Sequence, residues 1–271
     1  MTTTQITAGA ERKLKNHTSF WMTISNSLTM AYRGILEIRR KPEQLSDVTF
    51  QPILFTLMFT YIFGGAIAGN VHNYLPIIIP GLLVMMVITA SMATGVQLRE
   101  DMDKGVFNRL KSLPIARIAP LAGALLADVV RYGIATILTL IMGFILGYRM
   151  GAGPGGAIAG GLLAILFAWS LSWIWAFLGV IARTASTVQG ISMLILFPLT
   201  FLSNAFVPTN TLPSWLKSFV NINPVSHLVS GIRQLFNQGT IGHEFWFSLI
   251  GAVVVVAIFA PLTVRAYMRK A

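Results

Sequence analysis

The stretch Arg99–Pro114, REDMDKGVFNRLKSLP, holds the densest ionisable chemistry of the chain, with three acids and four bases in sixteen residues. Its Gly105, followed after four residues by Leu110-Lys111-Ser112, approaches the phosphate-binding pattern G-x-x-x-x-G-K-[ST]. Leucine stands where that pattern needs its second glycine, which lets the backbone curve around a phosphate. The block before it is apolar and as long as a membrane span, so no buried strand leads into it. Nucleotide chemistry does not follow from this near match.

Other candidate chemistry is sparse. Cysteine is absent, which excludes disulfides, thiolate catalysis and cysteine-held metals. His227 and His243, with Glu244 beside the second, offer too few converging ligands for a metal site. The serines have no acid or base poised beside them, so no catalytic residue is assigned. Asp128 is the one acid inside the long apolar blocks, and Arg131 the one base there apart from Arg265 at the very end of the last block. Asp128 and Arg131 stand three apart, which on a helix lets them face each other. A lone charge in hydrocarbon costs at least about 2.5–3.5 kcal/mol, so a pair is expected. Its role is either a polar part of a transport path or a self-satisfied pair near one end of its helix.

The elements that position these residues are set by the apolar pattern. Only 11% of the 271 residues are charged, 55% are hydrophobic, and the mean hydropathy is +0.71. A soluble domain carries about 25% charged residues, so lipid is the solvent for most of this chain. Six blocks approach the roughly 20 apolar residues that a spanning helix needs. They are Phe50–Ala68, Ile77–Leu98, Leu121–Leu146, Ala157–Ile181, Val188–Val207 and Phe245–Ala266. The expected fold is an all-α integral membrane domain over 1–271, with a tail and interface helix in 1–49 and the spans in 50–266. A cytoplasmic loop falls at 99–120 and an external segment at 208–244.

Charge placement orients this arrangement. With six spans, sixteen Lys and Arg fall on the side of the termini and three, Arg149, Lys217 and Arg233, on the other. The bias places both termini and the Arg99–Pro114 stretch in the cytoplasm. The net charge of +11 therefore reports membrane orientation, and no nucleic-acid partner is expected. The polar N-terminus lacks the apolar core of a signal peptide, so no cleaved leader is expected.

Four amphipathic helices complete the expectation. Trp21, Ile24, Leu28, Ala31, Ile35 and Ile38 recur at helical spacing beside Arg33, Arg39, Arg40 and Lys41, which suits a helix lying in the cytoplasmic interface among membrane lipids. Met102, Val106, Phe107 and Leu110 give the Arg99–Pro114 stretch one apolar face, with Asp103, Lys104, Asn108, Arg109 and Lys111 around the rest. This predicts a short loop helix, held by lipid or fitted into a groove on a soluble partner. In the external segment Pro213 and Pro224 suit the starts of two short helices that dip into the outer leaflet.

These features together resemble a permease subunit of the ABC-2 type, within the daunorubicin-resistance group. The resemblance rests on the amphipathic helix before six spans, on REDMDKGVFNRLKSLPI, on FPLTFLSNAFVPTNTLPSWLKSFVNINPVSHLVSGIRQL, and on a last span with a basic tail. It implies a division of labour. Such permeases form the membrane pathway, and a separate ABC ATPase in two copies uses ATP and Mg. A second copy of the permease or a homologue completes the complex. No cofactor is expected in this chain. The loop helix resembles the family's coupling helix, which implies contact with the ATPase through Glu100, Asp101, Asp103, Lys104, Gly105, Phe107, Arg109, Leu110 and Lys111.

Met85, Met86, Thr89 and Met92 on the second span, with Gln189, Met193, Thr200 and Asn204 on the fifth, are candidates for the substrate path, because methionine adapts to varied ligands. Trp215 and Phe219 are candidates for an outer gate. The implied activity is export of an amphipathic drug-like molecule, lipid or secondary metabolite. A polysaccharide or lipid-linked glycan permease is the alternative cargo, and an ATP-independent channel, carrier or scaffold the alternative class.

Overall fold

The computed structural model describes residues 20–40, 42–106, 116–206 and 213–270. Every regular element among them is an α-helix. In chain order these are α1 (Phe20–Arg40), α2 (Pro42–Ala68), α3 (Val71–Asp103), α4 (Ala119–Ile145), α5 (Gly153–Ile181), α6 (Ala185–Phe201), α7 (Ser214–Ile222), α8 (Pro224–Asn237) and α9 (His243–Lys270). Helices satisfy their own backbone groups, which is what a chain this apolar requires in lipid.

Five of these helices are long and apolar enough to cross a membrane: α3, α4, α5, α9 and the Val48–Ile67 part of α2. The chain is thus a multi-pass membrane protein. The 33-residue α3 is its axis, with 78% of its apolar window buried against 17% for α9. At about 1.5 Å per residue it is roughly 50 Å long, well beyond the ~30 Å of hydrocarbon. It therefore extends past the apolar block expected at Ile77–Leu98 and carries Glu100, Asp101 and Asp103 on its last turn. This corrects the expectation of one loop helix holding those acids. The i,i+4 pairs Arg99–Asp103 and Glu100–Lys104 support the extra turn. The helix stops at Lys104 and Gly105, whose φ of +68° suits glycine. Phe107, Arg109, Leu110 and Lys111 lie outside the described residues.

Neighbouring helices approach α3 closely where glycine removes a side chain. A Cβ on Gly95 would collide with the Trp175 carbonyl of α5, and one on Gly179 would collide with the Gly95 carbonyl in return. Backbones touch at this α3–α5 crossing, the kind of contact that small residues permit between membrane helices. Gly156 and Gly160 of α5 meet Leu235 and Phe236 of α8 in the same way.

The helix α6 has 17 residues, fewer than the Val188–Val207 block expected as a span. It starts earlier, where Thr184 caps it through the Thr187 amide at 3.2 Å. It ends at Phe201, where the Ser203 hydroxyl donates to the Thr200 carbonyl at 2.6 Å and accepts from the Ala205 amide at 3.2 Å. Such local bonds compete with continuation of a helix. Beyond it, α7 and α8 begin next to Pro213 and Pro224, as the prolines suggest. The α8 helix buries Val225, Leu228, Val229, Ile232, Leu235 and Phe236, whereas α7 buries Val220.

Candidate functional site

The two ends of the bundle differ in chemistry. At one end α3 passes into the connection that leads to α4, and α1 lies beside it. The side of α1 that faces α4 is made of small residues. Gly34 sits against the Ala127 Cβ and Gly123 of α4 against Met30, so the two helices touch closely. Ser27 and Ala31 are buried on the same side, while Trp21, Leu28 and Tyr32 are exposed on the other. Trp21, Leu28 and Tyr32 thus lie on the side of α1 turned away from α4.

Between α1, α3 and α4 lies a small cleft of about 70 Å³, lined in part by Arg33, Thr94, Gln97, Asp101, Val106, Asp128 and Arg131. Asp128 and Arg131 are paired, with Oδ1 3.3 Å from Nη1, and their side chains are 7% and 2% exposed. The other carboxylate oxygen of Asp128 accepts from the Thr94 hydroxyl at 2.5 Å, which lies 3.2 Å from the Tyr132 hydroxyl. Arg131 Nη2 donates to Gln97 Oε1 at 3.3 Å. The expected pair is therefore present, and it is tied to α3 as well as to its own helix. Thr94 and Gln97 were not among the sequence candidates, because an isolated polar residue in an apolar helix does not reveal which neighbour it meets.

Arg99, also absent from the candidates, ties the last turn of α3 to the end of α5. Its Nε donates to Asp103 Oδ1 at 3.0 Å and Nη1 donates to the Ala182 carbonyl at 2.9 Å, just past the end of α5. Lys270, in the last turn of α9, donates to the Val180 carbonyl at 2.6 Å. Both cations sit where the helix dipole leaves partial negative charge. These contacts put the end of α9, α1 and the α3–α4 connection at the same end of the bundle.

The opposite end is organised around α8. Arg233 donates to the carbonyls of Ile77 at 3.1 Å and Asn204 at 3.0 Å. Burial lowers its pKa to about 10, which leaves it charged at neutral pH. Tyr74 donates to the Phe206 carbonyl at 2.9 Å. Glu244 pairs with His227 across α8 and α9 at 2.6 Å rather than with the adjacent His243. Trp215 and Phe219, the gate candidates, are 71% and 43% exposed on α7.

The path candidates fall on two different surfaces. Met85, Met86 and Met92 are buried in the core, as are Thr200 and Asn204. Thr89 is half-buried, and Gln189 and Met193 lie on the exposed face of α6. That face continues through Leu194 and Phe197. Stacked rings connect it to α2: Phe197 with Phe201 at 4.3 Å, Phe201 with Phe206 at 5.2 Å, and Phe206 with Phe59 at 5.0 Å. Phe59 stacks in turn on Phe55 and Phe63, at 5.8 and 5.4 Å.

The sequence pattern of the ABC-2 type transporter family matches residues 26–237, most of the helical bundle. The chain belongs to this family. Over 250 residues, 91% of this chain and 87% of the relative, the permease is 42% identical to the daunorubicin resistance ABC transporter permease protein DrrB1 of Streptomyces coeruleorubidus. It is 25% identical over 219 residues to the probable doxorubicin resistance ABC transporter permease protein DrrC of Mycobacterium tuberculosis, covering 79% and 78% of the two chains. It is also 27% identical over 196 residues to the inner membrane transport permease YadH of Escherichia coli, covering 68% and 73%. As an ABC-2 permease the chain is the membrane subunit of a transporter whose ATPase is a separate subunit.

Proposed function

We propose that the chain is the membrane subunit of an ATP-driven exporter that moves an amphipathic, drug-like molecule out of the cell. The observation that carries this is the 42% identity, over nearly the whole chain, to a permease named for daunorubicin resistance. The row of stacked phenylalanines from α2 to α6 supports an amphipathic cargo, since aromatic faces hold flat apolar groups well.

In this reading α6 is also a span, the fifth of six in chain order. Arg99 of α3 bonds Ala182 just before α6, and Gly81 of α3 abuts Ala205 just after it. Residues 81 and 99 are about 27 Å apart along α3, close to the thickness of the hydrocarbon. Six spans bring both termini to the cytoplasm, together with the α3–α4 connection, and Arg33, Arg99, Arg265, Arg269 and Lys270 lie at that end. The α7 and α8 helices then stand in the outer leaflet, with Trp215 and Phe219 turned towards lipid or a second permease.

Two permease copies would enclose the path between their α2 and α6 faces, with Gln189 and Met193 on its wall. Two ATPase copies would bind ATP and Mg and press on the α3–α4 connection from Glu100 to Lys111. Co-expression with a partner ABC ATPase subunit tests the proposal. The complex should hydrolyse ATP and accumulate daunorubicin inside inverted vesicles in an ATP-dependent manner. Equal accumulation without any ATPase would overturn it in favour of a channel or carrier.

A further inference from the structure

Force applied to the α3–α4 connection must reach α6 if the exposed face of α6 lines the path. At the end of the bundle beneath that face, beside the direct packing of α3 on α6, the structure shows a hydrogen-bonded route. The α3 and α5 backbones are in contact at Gly95 and Gly179, so these helices cannot slide past each other there without steric cost. One turn further along α3 stands Arg99, whose side chain is 14% exposed. Its planar head holds the Asp103 carboxylate on one side and the Ala182 carbonyl on the other. Asp103 is the last residue of α3, immediately before the Lys104–Gly105 break that opens the connection. Ala182 is the extended residue that ends α5, and Thr184, two residues on, is the N-cap of α6. A single guanidinium therefore joins the stem of the loop to the turn from which α6 springs. Lys270 fixes the same helix end from the α9 side.

We propose that Arg99 is the transmission contact through which displacement of the α3–α4 connection repositions the base of α6. It is a positioning residue and touches neither nucleotide nor cargo. The chemistry suits the task. A guanidinium is permanently charged and its donors have fixed directions, so a shift of Asp103 is carried to the carbonyl across a rigid plane. Two flexible, separately bonded side chains would absorb such a shift. This inference rests on the exporter reading above and adds the residue through which coupling passes.

The test is the ratio of daunorubicin exported to ATP hydrolysed, measured on the full permease–ATPase complex in vesicles. Arg99→Ala should leave assembly intact and ATP turnover within about twofold of the parent, while the ratio falls about tenfold, the scale of losing a charge-assisted hydrogen bond. Arg99→Lys supplies a point donor that serves one acceptor at a time, so its ratio should fall about threefold. A residue that only stabilises the fold would lower both activities in proportion to the amount of folded complex. An unchanged ratio in either variant, or a proportional loss of both activities, overturns the inference. If Arg99→Ala fails to assemble, the lysine variant decides alone. A parent complex that hydrolyses ATP but exports nothing would overturn the exporter reading and this inference with it.

Discussion

Asp128→Ala removes one half of a pair buried between α1, α3 and α4, and the cost follows from the partners left behind. Arg131, 2% exposed, loses the carboxylate 3.3 Å away. Breaking a buried pair from one side costs about 3–5 kcal/mol, because the remaining charge keeps its desolvation penalty. Thr94 also loses its acceptor, worth about 1 kcal/mol. The expected destabilisation is therefore about 4–6 kcal/mol. Asp128→Asn keeps the volume and an acceptor for Thr94, so about 2–3 kcal/mol should be lost. Removing both charges in Asp128→Ala/Arg131→Ala should cost less than the sum of the single variants, by about 2–3 kcal/mol. The assay is unfolding of the purified permease in mixed micelles, followed by the fluorescence of its six tryptophans. Additivity of the two single variants within about 0.5 kcal/mol would refute the reasoning, because it would mean the two charges do not feel each other.

Three further outcomes are expected. Gly95→Ala should cost about 2 kcal/mol, since its Cβ collides with the Trp175 backbone, whereas Gly65→Ala, with open space around its Cβ, should be neutral or stabilising by up to about 1 kcal/mol; both are read from the same unfolding curves. Glu100→Ala and Phe107→Ala should abolish daunorubicin efflux in cells while membrane insertion, followed by fractionation, stays normal; normal efflux in both would count against docking of the ATPase at this connection. Trp215→Ala should change stability by less than about 0.5 kcal/mol because the ring is 71% exposed, and a gate role for it requires that export falls at unchanged stability.

The fold was legible where apolar length or a chain breaker dictated it. The block Leu121–Leu146 became α4 at Ala119–Ile145, and Pro213 and Pro224 mark the starts of α7 and α8. The end of α3 was hidden because composition turns polar at Arg99 while i,i+4 ion pairs sustain the helix for another turn. The end of α6 was hidden because serine and asparagine are tolerated in a helix until a local bond competes with it, as Ser203 does.

The site was legible to a similar depth. A lone acid and base three apart in an apolar helix announce a pair, and Asp128 and Arg131 form one. The partners Thr94, Gln97 and Arg99 depend on which faces of α3, α4 and α5 meet. Lipid-facing and protein-facing sides of such helices are equally apolar, so sequence alone does not separate them. For the same reason Met85 and Met86, buried in the core, and Met193, exposed on α6, looked alike.

The central claim is that this chain makes the pathway and receives its force from another subunit through the α3–α4 connection. The most direct measurement is ATP hydrolysis and daunorubicin export by vesicles holding the permease alone, the ATPase alone, and both. Export that appears with both subunits and ATP, and in neither single preparation, is the predicted result. Nucleotide hydrolysis by the permease alone, or ATP-independent export by it at the rate of the complex, would contradict the account.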